Sequence, residues 1–97
     1  MGLSAQRTPL SSLSREELDD VLRNQSSERN IRGLARYSLA HRTRMGVSLI
    51  TPDELILVVG TVEAVSEKGF LLREESGDWQ IDHAQVIKVY AVPDWVR

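Results

Sequence analysis

Apolar positions along the chain follow two periods, and the change falls near Gly46. Upstream, Leu18, Val21 and Leu22 share one helical face. Ile31, Leu34, Ala35, Ser38 and Leu39 form the inner face of a second helix. Ser14 stands three residues before Glu17, the spacing of a capping box, with Leu13 and Leu18 placed for a hydrophobic staple. The pattern predicts a short helix over about 15–23, a polar break at Asn24-Gln25-Ser26-Ser27, and a second helix over about 28–42 capped by Ser27. Residues 1–12 are polar, contain Pro9 and read as a flexible arm.

Downstream the period is two. Val47, Leu49 and Thr51 alternate with smaller residues as a first strand. Residues 55–64 form a long second strand with Gly60 in its middle, and a glycine inside a strand marks a bend or bulge. A turn at 66–69 leads to a third strand over 70–74, a hairpin loop over 75–78 and a fourth strand over 79–82. A tight corner at 83–85 then opens a fifth strand over 86–92, stopped by Pro93-Asp94. The expected fold is α+β, with N-terminal helices followed by a strongly bent five-stranded antiparallel barrel and residues 13–97 forming one domain. Five short strands are too few for a sandwich and suit a small, partly open barrel.

Charge sharpens this outline. The net charge is −2, yet residues 23–44 carry six arginines against the single acid Glu28, while residues 45–97 hold four cations against nine acids. Arg29, Arg32 and Arg36 fall at i, i+3 and i+7, one stripe along the second helix. Such a stripe reads either as a phosphate-binding surface or as a solvated face paired with Glu16, Asp19 and Asp20. The two histidines, His41 and His83, lie in no metal-ligand spacing, and no nucleophile motif or phosphate-cradling glycine loop is present. The expectation is a binding protein, not an enzyme, with no cofactor and no metal. The absence of cysteine, of a long apolar run and of a signal-like N-terminus points to a cytoplasmic protein that does not enter the membrane.

Four segments, taken in order, resemble the Sm-like fold and within it the bacterial Hfq proteins. LAHRTRMGVSLI resembles a basic helix end running into the first strand. ELILVVGTVEAV resembles the bent second strand, with Gly60 at the bend. GFLLRE resembles the aromatic-led third strand, and IDHAQVIKVYAVP the corner between the last two strands. Asp82 stands where that family has a lysine and Ile81 where it has an aromatic residue, so the chain resembles a diverged member. The YolD-like family, whose C-terminal half also has a G-x-V/I strand and a D-x-x-x-I corner, is the second resemblance.

The first resemblance implies a ring-forming protein, of hexamer type, that binds single-stranded RNA. The fourth strand of one copy would pair with the fifth strand of the next. It implies that Arg42 and Arg44 form a basic rim that meets RNA phosphates, that a base stacks on Phe70, and that His83 binds the RNA 3′ end. Each has a plainer reading. The arginines favour the helix dipole, Phe70 packs in a core or interface, and His83 bonds local carbonyls or is held by Asp82. With Arg29, Arg32 and Arg36 these residues are the candidate RNA site. The alternatives are a YolD-like protein–protein adaptor using Trp95 and the acidic barrel face, and an oligomer that binds a small nucleotide between subunits.

Overall fold

The computed structural model describes residues 5–92. Helix α1 spans Arg15–Arg23 and α2 spans Glu28–His41. Both begin where serine supplies an acceptor for an otherwise unpaired backbone N–H. Ser14 Oγ accepts from Glu17 N–H at 3.1 Å while the Glu17 carboxylate accepts from Ser14 N–H at 3.0 Å, which completes the capping box. Ser27 Oγ accepts from Asn30 N–H at 3.1 Å.

The strands are β1 (Gln6–Pro9), β2 (Arg44–Ile50), β3 (Glu54–Val65), β4 (Gly69–Glu74), β5 (Gly77–Asp82) and β6 (Val86–Ala91). They form one antiparallel sheet in the order β5-β4-β3-β2-β6, with β1 also paired to β3. Strand β3 is long enough to serve three neighbours. Its first part pairs with β2 and β1, and its last part pairs with β4 across an irregular register between Val62 and Ala64. Gly60 lies just before that irregularity, where a Cβ would fall less than 3.0 Å from the Arg73 carbonyl. The close approach explains why glycine occupies this point of the strand.

Two expectations about the architecture are corrected. The helices are not the first elements. Residues 6–9, expected within a flexible arm, form a strand against Glu54–Leu57, and Arg7 pairs with Glu54 at 3.1 Å and lies 5.6 Å from the Trp79 ring centroid. The sheet is also six-stranded and not closed into a barrel, because β5 and β6 end the strand order and do not pair with each other. Part of the reason lies in the α1–α2 linker. Ser26 N–H donates to Ile87 O at 2.7 Å, and Ser26 Oγ accepts from Val89 N–H at 3.0 Å. These bonds occupy the outward edge of β6, which closure would require.

The core lies between the inner sheet face and α2. Met45, Val47, Val58, Val62, Phe70, Leu72 and Ile81 are almost wholly buried, and Ile31 and Ala35 of α2 complete the cluster. Ser38 is the polar member. Its hydroxyl donates to Thr43 O at 2.5 Å and accepts from Val62 N–H at 3.2 Å, which ties the end of α2 to β3. Helix α1, by contrast, buries no residue, and Leu22 is left 41% exposed.

Candidate nucleic-acid interface

Helix α2 buries Ile31 and Ala35, so a different face of the helix meets solvent beside β6. There a groove of about 820 Å³ runs between the two elements, lined by Arg29, Arg32, Arg36 and Tyr37 from α2 and by Val89 and Tyr90 from β6, among others. Among the described residues no aspartate or glutamate lines it. Arg29 and Arg36 are exposed. Arg32 is half-buried, pairs with Glu28 at 3.4 Å and donates to Glu67 O at 2.8 Å, so it fixes α2 to the β3–β4 turn. Among the described residues no ion pair joins Glu16, Asp19 or Asp20 to this stripe; Asp20 pairs with Arg23 instead, at 3.8 Å.

Two tyrosines are among the residues that line the groove. Tyr37 is 53% exposed and its ring lies 4.2 Å from that of His41, tilted by 39°. Tyr90 is 36% exposed and pairs across the sheet with Gly46. Partial burial pushes the Tyr90 phenol above its ordinary range, because desolvation disfavours the phenolate.

The remaining candidates lie elsewhere. Helix α2 ends at His41, and Arg42 is its left-handed C-cap, at φ 55° and ψ 39°. A left-handed conformation at a residue other than glycine costs about 1–2 kcal/mol. Arg42 is exposed, whereas Arg44 is half-buried and already belongs to β2. The two arginines therefore do not end the helix together.

Phe70 is 1% exposed and belongs to the core, so no ring face is open to a base. The packing reading of this residue replaces the stacking one. His83 sits in the short 3-10 turn His83–Gln85 between β5 and β6, 7% exposed, with its ring 5.9 Å from Phe70. Among the described residues neither of its ring nitrogens has a hydrogen-bond partner. Asp82 does not hold the imidazole. Its carboxylate accepts from Ala84 N–H at 2.9 Å and caps the turn. Trp95, on which the adaptor reading rested, lies outside the described residues.

Nothing in the sequence pattern singles out Tyr37, Gly46, Ser26 or Tyr90 as a site residue. The signal for Tyr90 and Gly46 is their cross-strand pairing, which requires the register of β2 against β6. Among the described residues no group of three or more histidine, cysteine, aspartate or glutamate side chains is placed to hold a metal ion. No helix among them is long and apolar enough to cross a membrane. No protein-family model matches the chain, nor does any curated protein or solved structure. The functional reading therefore rests on the chemistry of the groove.

Proposed function

We propose that this chain binds single-stranded RNA along the groove between α2 and β6, and that it acts by binding and not by catalysis. One observation carries the reading. In a chain of net charge −2, three arginines and two tyrosines line one groove with no aspartate or glutamate among its described lining residues, and Arg32 alone of the three arginines is ion-paired, to Glu28. Arginine offers planar, two-pronged donors to phosphate, and exposed tyrosines accept bases by stacking. Single strands combine both demands, because their bases are not held in a duplex.

Assembly of several copies into an Sm-like ring belongs to the same proposal. Strands β5 and β6 end the sheet, and unpaired end strands support a seam in which β5 of one copy adds beside β6 of the next. Ser26 already occupies Ile87 O and Val89 N–H. The seam therefore uses the C-terminal end of β6 or displaces the linker. A ring would repeat the arginine groove around one surface and concentrate positive charge there.

Fluorescence anisotropy of a labelled U-rich or A-rich oligomer over a salt series tests the reading. Affinity is expected to fall as salt rises, with a logarithmic slope of about 0.7 per phosphate contact. Arg29→Glu combined with Arg36→Glu is expected to weaken binding at least tenfold without lowering the melting temperature. A flat salt response, or no binding at micromolar protein, overturns the proposal. Sedimentation tests the ring, which a monomer at working concentration would rule out.

A further inference from the structure

Glycine is among the least favourable residues inside a helix, yet Gly33 stands in the middle of α2. Glycine is normally placed by a positive φ or by the close approach of a neighbouring chain. Neither applies here. Gly33 has helical backbone, and a Cβ built on it would meet no described atom within 4 Å. It is exposed, on the side of α2 turned away from Ile31 and Ala35.

The missing side chain leaves an open notch in the helix surface. The neighbours of a helical residue are those three and four positions away. For Gly33 they include Arg29, Asn30, Arg36 and Tyr37, and all four line the α2 groove together with Gly33 itself. Helical side chains lean toward the helix N-terminus. His41, whose ring lies 4.2 Å from that of Tyr37, therefore backs the tyrosine from the C-terminal side. The opposite side of the Tyr37 ring is turned toward the notch.

These groups match a nucleotide part by part. A flat base fits where no side chain intrudes, with the Tyr37 ring to stack on. The Asn30 carboxamide offers a donor and an acceptor to the edge of that base. Arg29 and Arg36 are placed for the phosphates on either side of it. Phosphate binding alone needs only the arginines and gives no reason for the gap at Gly33.

We propose that the Gly33 notch seats one unstacked nucleobase against Tyr37, so that the groove recognises bases as well as phosphates. This rests on the RNA-binding reading of the same groove. In the competing account Gly33 is a tolerated weak point of the helix, and Tyr37 is a surface residue stacked on His41.

Gly33→Leu separates the two accounts. Leucine is a strong helix former and the space beside Gly33 is open, so the melting temperature should rise while the notch is filled. Both accounts expect that rise. Only the seat expects base recognition to disappear with it.

The test uses the full chain, a six-nucleotide oligoadenylate, and a base-free hexamer of the same sugar-phosphate charge, compared by anisotropy at one salt concentration. Wild type is expected to bind the oligoadenylate about tenfold more tightly than the base-free hexamer, the size of one stacking contact. Tyr37→Phe should keep that preference. Tyr37→Leu and Gly33→Leu should both lose it and bind the two hexamers alike.

Equal binding of both hexamers by wild type, or a preference that survives in Tyr37→Leu or in Gly33→Leu, overturns the seat and leaves phosphate binding standing. Failure of wild type to bind either hexamer at micromolar protein overturns the RNA reading itself. Should Gly33→Leu not fold, Gly33→Ala puts a single methyl group into the same space. A reduced preference then supports the seat, and a full one overturns it.

Discussion

The arginine stripe of the α2–β6 groove and the β5–β6 corner belong to one candidate RNA site when the chain is read from its sequence, yet they are built in opposite ways. In the groove Arg29, Arg36 and Tyr37 are exposed beside a half-open Tyr90. At the corner Phe70 and His83 are 1% and 7% exposed, packed against one another, with the carboxylate of Asp82 spent on capping the turn. The order of residues along a chain can be kept while their exposure changes. A ligand meets exposure and not order, so the groove is the place where chemistry is available.

The sharpest way to break this contrast is Phe70→Ala. Truncating a buried phenylalanine costs about 3–5 kcal/mol, a large part of the stability of a domain this size. A urea melt should show that loss, whereas the Arg29→Glu, Arg36→Glu variant should remain within about 0.5 kcal/mol of wild type. If Phe70→Ala melts like wild type but binds oligomer poorly, the ring is not core in the working protein, and the corner regains its place in the site.

A smaller effect is expected at His83. Both of its nitrogens are buried without partners among the described residues, and a buried polar group left unsatisfied costs about 1–3 kcal/mol. His83→Leu removes those groups and keeps most of the volume, so stability should rise by about 1 kcal/mol while oligomer binding stays unchanged. Denaturant midpoints and anisotropy on the same samples check both halves. A loss of stability or of binding would mean that the imidazole finds its partner in an assembly or a ligand.

How much of this could be read from the chain follows from which interactions are local. Both helices emerged at nearly their observed limits, since Ser14, Glu17 and Ser27 signal their starts within a few residues. Strands β3 to β6 also emerged, from alternation and from the glycines between them. Strand β1 did not, because Gln6-Arg7-Thr8-Pro9 has no apolar alternation and is held by Glu54–Leu57, far along the chain. The start of β2 at Arg44 was hidden for a related reason. Arg42 and Arg44 look alike in sequence, and only the left-handed turn at Arg42 separates helix from strand. In the candidate site the arginine stripe was legible from its spacing, whereas the Tyr90–Gly46 pair depends on sheet register. The burial of Phe70 was legible only as a general tendency of large aromatics, and the capture of the β6 edge by Ser26 not at all.

The least expected effect lies at α1, whose linker reaches the β6 edge through Ser26. The hydrogen bonds from the Ser14 backbone and hydroxyl regions hold the Glu17 carboxyl below its ordinary value of 4.5, outweighing a small opposing effect of burial. A carboxyl depressed in the folded state stabilises above its unfolded value, and the contribution disappears as pH falls through the lower folded value. Stability from the capping box is therefore complete above about 4.5 and fades only in stronger acid. In an NMR titration the Ser14 amide resonance should move with a midpoint below 4.5, and Glu17→Gln should abolish that movement. Amides around Phe70 should not follow it, since the corner shares no hydrogen bond with the cap. A midpoint at or above 4.5 would show that the box is open in solution. Then the serine–glutamate pair would no longer fix the start of α1, and the linker that seals the β6 edge would depend on Ser26 and Ser27 alone.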